Sequence, residues 1–135
     1  MGLTKEALVD LFSTATYGSE WLEIKTLKSE KVLDDIYSDE YKSQRCIEEK
    51  WADRLLNGGH IVCLDWYDED YDDNGNVIEF KRYKLTLEDI KKGLNKARND
   101  KDMARTYWEW RNEEGDYYTA NNLIQYILFG EIVYG

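Results

Sequence analysis

Apolar side chains recur at intervals of three and four residues in several parts of the chain, a period that predicts amphipathic α-helices. The predicted helices cover residues 4–17, 29–56 with a break near 38–39, 86 past 94, 101–112 and 119–129. Their apolar faces predict the helical part of the core: Leu8, Leu11, Phe12, Ile47, Trp51, Leu55, Ile90, Leu94, Met103, Tyr107 and Trp110.

Short polar side chains and glycines mark the ends of these helices. Thr4, Thr86 and Thr119 are the predicted N-caps, because a hydroxyl oxygen at that position accepts a bond from a free backbone N–H. Asp89 completes a capping box with Thr86. Glycines at 58–59 and at 130 are predicted to end two helices, since glycine accepts the left-handed conformation there.

Two shorter runs, residues 60–67 and 77–85, are rich in β-branched and aromatic side chains and predict strands. Asn74-Gly75 lies between them and is a favoured pair in hairpin turns. Residues 22–26 alternate in polarity and predict a short strand, with a helix over 21–27 as the open alternative. Residues 131–135 predict a final short strand against the hairpin. The whole pattern predicts one α+β domain over 1–135, in which an antiparallel hairpin or small sheet packs against about four to five helices.

Composition adds a strong charge bias to this picture. The chain has 28 acidic and 18 basic side chains, a net charge of −10, and 42% hydrophobic residues. A field of this sign repels nucleic-acid phosphates and anionic lipids, so neither direct nucleic-acid binding nor membrane binding is expected. Basic protein surfaces are the expected partners. Without a secretory leader or a C-x-x-C pair, Cys46 and Cys63 are predicted to be reduced, buried thiols of a cytoplasmic protein.

The acids are concentrated around the predicted hairpin. Six occupy nine positions with no basic residue among them: Asp65, Asp68, Glu69, Asp70, Asp72 and Asp73. One interpretation is a solvated hairpin tip. A second is an acidic arm that enters a basic groove on a partner, with neighbouring aromatic side chains as apolar anchors. The residues predicted to bind the partner are Trp66, Tyr67, Asp68, Glu69, Asp70, Tyr71, Asp72 and Asp73.

A third interpretation of the same loop is calcium binding. Asp70, Asp72 and Asn74 alternate before Gly75, as in the first half of an EF-hand loop. The bidentate Glu that should close such a loop is replaced by Lys81. Calcium therefore stays an alternative function, and no metal or cofactor is predicted.

Catalytic chemistry has little support in the sequence. His60 is the only histidine, and Cys63, three residues further along the same predicted strand, would point to the other face. A Cys46–His60 pair has no supporting motif, and no phosphate-binding glycine motif occurs. Arg105-Thr106-Tyr107-Trp108-Glu109-Trp110-Arg111 could stack nucleic-acid bases, but acids surround it, and its helical spacing favours a core role. An enzyme of unrecognised type remains an alternative.

Three segments resemble a group of small acidic proteins encoded by phages and prophages: WADRLLNGGHI (51–61), KLTLEDIKKGL (84–94) and NNLIQYILFGEIVYG (121–135). The resemblance covers residues 51–135 and implies a setting, because no functional residue can be carried over from that group. This setting and the acidic charge together lead to the hypothesis of a non-enzymatic accessory or inhibitor protein that binds a basic host protein, such as a nucleoprotein. A DNA-mimicking counter-defence protein of the anti-CRISPR or antirestriction type would fit this setting. The oligomeric state is not indicated.

Overall fold

A computed structural model describes residues 3–25 and 47–135 of the chain. These residues form five α-helices and a three-stranded antiparallel sheet, which confirms the predicted α+β class. The predicted helix over 29–46 with its break, the end of the first strand at 26 and Cys46 lie outside the described residues. In chain order the elements are α1 (Lys5–Thr16), β1 (Leu22–Lys25), α2 (Ile47–Leu56), β2 (His60–Tyr71), β3 (Val77–Thr86), α3 (Leu87–Arg98), α4 (Ala104–Arg111) and α5 (Tyr117–Phe129).

Two of the three predicted helix caps are confirmed, and one is wrong. Thr4 accepts a bond from the backbone of Ala7, and Thr86 forms the predicted capping box with Asp89. The last helix begins two residues before Thr119, because Asp116 is its N-cap and Thr119 is the third helical residue of a second capping box. A carboxylate is the stronger partner for the positive end of a helix, so Asp116 sets the start.

The sheet has β2 at its centre, with β1 and β3 antiparallel on either side. On its core face, Cys63 of β2 lies between Ile24 of β1 and Tyr83 of β3. The predicted hairpin is confirmed, although β2 continues four residues beyond Tyr67.

The hairpin turn is built around Gly75, which has a φ of +81° that other residues rarely adopt. The N–H of Gly75 donates to the carbonyl of Asp72, and the N–H of Asp72 donates to the carbonyl of Asn76. The loop therefore has three residues, 73–75, instead of a two-residue Asn-Gly turn. Its glycine has the left-handed conformation that such three-residue loops require.

Helix α1 lies in the core, where it packs against α2 and α5. The rings of Phe12 and Trp51 meet edge to face at 6.1 Å between centroids. All the predicted helical core positions are buried except Ile47, which is 52% exposed because it lies in the first turn of α2. None of the helices within the described ranges has the length and apolar character needed to cross a membrane.

The predicted last strand, over residues 131–135, is wrong. This segment has no strand pairing, because a side chain binds its backbone instead. The Oε1 atom of Gln125 accepts the N–H groups of Val133 and Tyr134 at 2.8 and 2.7 Å. The ring of Tyr134 packs on Trp21 at 5.1 Å between centroids. Because Gln125 satisfies these backbone N–H groups, the segment is held against α5 and does not join the sheet.

Candidate functional site

The acidic run lies on the distal half of β2, where pairing with β3 is irregular. Asp65 is opposite Lys81 and Glu69 is opposite Phe80, so the three residues between Asp65 and Glu69 have no partner on β3. Such a bulge bends a strand and redirects its side chains. Residues 66–73, from this bulge to the turn, are called the acidic ribbon below.

Among the acids of the run whose side chains the structure describes, Asp65 alone is buried. Its side chain is only 1% exposed. Its Oδ1 atom accepts the N–H of Tyr67 at 3.0 Å, and its Oδ2 atom accepts the hydroxyl of Tyr134 at 2.6 Å. Burial and the bond to Asp65 raise the pKa of Tyr134 above its ordinary value. Asp65 therefore shapes the bulge and is not available to a partner.

The three predicted aromatic anchors are exposed, at 39% for Trp66, 53% for Tyr67 and 58% for Tyr71. Trp66 also stacks on Phe80 at 4.3 Å between ring centroids. The polar atom of each anchor donates to a carboxylate of the same chain, which fixes the ring while part of the side chain stays exposed. These bonds are Trp66 Nε1 to Glu23 at 2.8 Å, Tyr67 Oη to Glu20 at 2.7 Å and Tyr71 Oη to Glu69 at 2.7 Å.

The acids of the ribbon differ in structural role and in exposure. Asp72 supports the turn, because its Oδ1 atom accepts the N–H groups of Asn74 and Asn76 at 2.9 Å. Asp73 is exposed, and Asp68 and Glu69 are half-buried. The backbone of Asp70 pairs with Glu79.

The described Lys and Arg side chains do not neutralise the described acids of this ribbon. In the part of the chain that the structure describes, ion pairs join Lys5 to Asp53, Lys25 to Glu23 and Arg105 to Glu109. No Lys or Arg of that part forms an ion pair with Asp68, Glu69, Asp72 or Asp73. Their negative charge is therefore available to a cationic ligand.

The calcium interpretation depends on Asp70, Asp72 and Asn74, and the side chain of Asp70 lies outside what the structure describes. Among the side chains that the structure does describe, no three or more of His, Cys, Asp or Glu are grouped to hold a metal ion. Asp72 also uses one carboxylate oxygen for two backbone bonds of the turn. Calcium binding stays a prediction that titration with the ion would decide.

The candidate nucleophile, Cys63, is buried, and the backbone of the candidate base, His60, has a structural role. Cys63 is fully buried, and burial raises its pKa to about 12, which keeps the thiol protonated. The backbone carbonyl of His60 accepts a bond from Arg54 Nε at 2.6 Å. Burial lowers the pKa of His60, and the charges of Lys84 and Arg54 lower it further. Neither side chain is set up for a shared proton transfer.

A cavity that the sequence analysis did not find opens beside the bulge. It has a volume of about 310 Å³ and is called the tyrosine pocket below. Its walls come from the end of α1, the bulge, the first turn of α5 and residues 134–135. Their only shared signal is tyrosine at positions far apart in sequence, which no local pattern connects. The tyrosines are Tyr17, Tyr67, Tyr117, Tyr118 and Tyr134.

The floor of this pocket is held by buried hydrogen bonds. Asn121 Oδ1 accepts from Trp21 Nε1 at 3.0 Å and from Gln125 Nε2 at 2.9 Å. Asn121 Nδ2 donates to the carbonyl of Ala15 at 3.0 Å. Gln125 in turn holds the backbone of Tyr134. These bonds connect α1, α5 and the last residues, so the floor is rigid.

A second cavity, of about 330 Å³, lies between β3, α3 and α5, and is called the lysine pocket below. Three exposed lysines, Lys84, Lys92 and Lys96, line it together with Asp89. Residues 81–98, which contain most of this wall, hold seven Lys or Arg and two Asp or Glu. The chain thus separates its charges, with a basic segment next to an acidic ribbon.

No protein-family model matches the chain, and no curated protein or solved structure is significantly similar to it.

Proposed function

We propose that this protein is a non-enzymatic binding protein whose acidic ribbon docks on a basic surface of a partner protein. The observation that carries the proposal is the pairing of charge and aromatic surface on one strand. Acids that form no ion pair within the described residues lie there next to three exposed rings, each held by a hydrogen bond. A merely solvated tip would need the charges but not the rings.

The two kinds of side chain would contribute to binding in different ways. Carboxylates draw a basic surface in from a distance and set its orientation, which raises the association rate. Aromatic rings supply the apolar contact area from which most interface energy comes. Because Trp66, Tyr67 and Tyr71 are already held by Glu23, Glu20 and Glu69, little side-chain entropy would be lost on binding.

The net charge of −10 favours the same kind of partner and disfavours others. A basic surface that normally binds nucleic acid would meet an array of carboxylates in place of phosphates. The resemblance to acidic phage proteins supports a host nucleoprotein as the target. Under this proposal the protein acts as a DNA mimic in counter-defence, of the anti-CRISPR or antirestriction type.

Neutralising the ribbon tests the proposal. A variant with Asp68, Asp70, Asp72 and Asp73 changed to Asn and Glu69 to Gln is compared with the unchanged protein in capture from a bacterial lysate at low and high salt. We expect the unchanged protein to capture a basic nucleic-acid-binding protein at low salt and to lose it at high salt, since exposed charges are screened. The variant should capture none at either salt concentration.

A charge-matched control removes five exposed acids elsewhere: Asp10→Asn, Asp102→Asn, Glu113→Gln, Glu114→Gln and Glu131→Gln. Each variant loses five negative charges, so a general loss of field would weaken both equally. The proposal is wrong if the control loses capture as completely as the ribbon variant, or if the folded ribbon variant still captures the partner.

A further inference from the structure

We infer that the tyrosine pocket receives the guanidinium group of an arginine side chain presented by the partner. This inference rests on the proposed function and deepens it, because it names the group that the partner places beside the acidic ribbon. The pocket and the ribbon share Tyr67, so a single interface would cover both.

The lining of the pocket selects for a cation. Five tyrosine rings surround it, and the faces of such rings carry negative potential. Among the described residues that line it there is one carboxylate, Glu20, and there is no Lys, Arg or His. A cation would therefore meet aromatic rings and a carboxylate, whereas an anion would meet a like charge and no cationic side chain, only neutral hydroxyl and amide donors.

Glu20 is placed to receive a forked donor. Its Oε2 atom accepts the Tyr67 hydroxyl at 2.7 Å, and within the described residues its Oε1 atom has no hydrogen bond. The bond to Glu20 raises the pKa of Tyr67, and burial and the nearby Tyr117 raise it further. Tyr67, Tyr117 and Glu20 line the same cavity and can therefore act on one ligand.

The shape of the pocket favours arginine over lysine. A guanidinium is planar, stacks on aromatic faces, binds a carboxylate through two N–H groups and holds its hydration shell weakly. An ammonium is a compact, strongly hydrated charge that would lose more by leaving water. A cavity of about 310 Å³ with ring walls can take the flat group and part of its aliphatic stem.

The pocket walls are braced before any ligand arrives. Tyr67 meets Tyr134 edge to face at 5.3 Å, and Tyr117 meets Tyr118 in the same way at 5.3 Å. Tyr17 and Tyr118 are nonetheless 84% and 66% exposed. Exposed rings grouped at a rigid concavity are typical of a binding surface.

The test is an NMR titration of the labelled full chain at low salt with three small probes. These are N-acetylarginine amide, N-acetyllysine amide and N-acetylcitrulline amide, the last being a neutral isostere of arginine. We expect the arginine probe to shift amide signals around Tyr67, Tyr117 and Asn121. The lysine probe should bind about fivefold more weakly, and the neutral probe about tenfold more weakly.

Two variants locate the binding site without touching the core. Glu20→Gln should weaken the arginine probe about fivefold, the usual effect of an exposed charge pair. Tyr118→Ala should weaken it by a similar factor through the lost ring face. Lys92→Gln, in the lysine pocket, is the matched control and should change nothing.

The inference is overturned if citrulline amide binds as tightly as arginine amide, if lysine amide binds more tightly, or if both pocket variants bind arginine normally. No saturable shift at all also overturns it. Its failure is separable from that of the proposed function. Lysate capture that depends on the ribbon acids would survive a negative probe titration, and arginine binding would survive a failed capture.

Discussion

The tyrosine pocket and the lysine pocket have nearly the same volume, about 310 and 330 Å³, but opposite chemistry. They share no lining residue. Rings and the Glu20 carboxylate line the first, whereas lysines on β3 and α3 line much of the second. A basic partner would therefore be attracted to one concavity and repelled by the other. Charge separation of this kind orients an encounter as well as speeding it.

The two pockets are also built differently. Loops and chain segments form much of the tyrosine pocket, and they are held by buried polar groups: Asp65, Asn121 and Gln125. The lysine pocket lies where α3 packs on α5, and its shape depends on apolar contact around Gly93. Polar networks fix irregular backbone that has no ladder or helix bonds of its own, whereas two helices need only complementary surfaces. The two sites should therefore fail under different substitutions.

The largest expected effect comes from Asp65→Ala. This change leaves the N–H of Tyr67 and the hydroxyl of Tyr134 without their buried acceptor, at a cost of about 3 kcal/mol in the free energy of unfolding. Urea unfolding measures it. Asp65→Asn keeps one acceptor oxygen and should lose less. Lys92→Gln, on the lysine side, should stay within about 0.5 kcal/mol of the unchanged protein.

An unchanged unfolding free energy for Asp65→Ala would mean that the bulge does not depend on its buried carboxylate. The contrast between the two pockets would then disappear. A loss confined to arginine binding, with stability intact, would instead place Asp65 in the interface.

Gly93→Ala, in the wall of the lysine pocket, is expected to have the next largest effect. An added Cβ would lie 2.7 Å from Ile127 Cγ1 and 3.1 Å from the backbone Cα of Ile127. Overpacking of this kind costs about 1–3 kcal/mol, and because a contact this short forces a shift next to the Ile127 backbone, we expect a cost above the gain of about 1 kcal/mol that alanine brings to a helix. Thermal unfolding should show a net loss, while arginine binding at the tyrosine pocket stays unchanged.

Asn95→Ala provides the matched control, because Asn95 is an exposed residue of the same helix. Alanine there should stabilise slightly through helix propensity alone. If Gly93→Ala were as stabilising as Asn95→Ala, the close approach of α3 and α5 would have no energetic importance.

The sequence predicted those parts of the fold that depend on neighbouring residues. Capping of α1 by Thr4, the box at Thr86 and the hairpin around Gly75 each involve residues within a few positions of one another, so local chemistry determines them. The start of the last helix is predicted wrongly because two residues, Asp116 and Thr119, could each cap it. In the structure they cap reciprocally, which a single-residue rule does not anticipate.

The candidate site was predictable only in part, for a related reason. Exposure of Trp66, Tyr67 and Tyr71 followed from their position in a charged hairpin. Asp65 looks the same in sequence as the other acids of the run, yet it is buried because the bulge and Tyr134, 69 residues away, need an acceptor. The tyrosine pocket likewise brings together distant segments, so only tertiary packing creates it.

The smallest expected effect concerns one of two similar tyrosine–carboxylate bonds, of which one lies in each region. Tyr134 donates to buried Asp65, whereas Tyr126, in the wall of the lysine pocket, donates to Asp100 at 2.6 Å near the surface. The bond to Asp100 raises the pKa of Tyr126 to about 12, and the bond to Tyr126 lowers the pKa of Asp100. The variant Tyr126→Phe removes this bond and leaves the ring in place.

The sign of each shift fixes the pH range of the effect. The raised pKa of Tyr126 contributes stability that is complete below pH 10.0 and disappears as pH rises towards about 12. The lowered pKa of Asp100 contributes stability that is complete above pH 3.8 and disappears at lower pH. The difference in unfolding free energy between the unchanged protein and Tyr126→Phe should be constant between these limits and shrink outside them. A difference that stays constant through alkaline pH would show that the bond to Asp100 contributes nothing, and that the lysine pocket relies on helix packing alone.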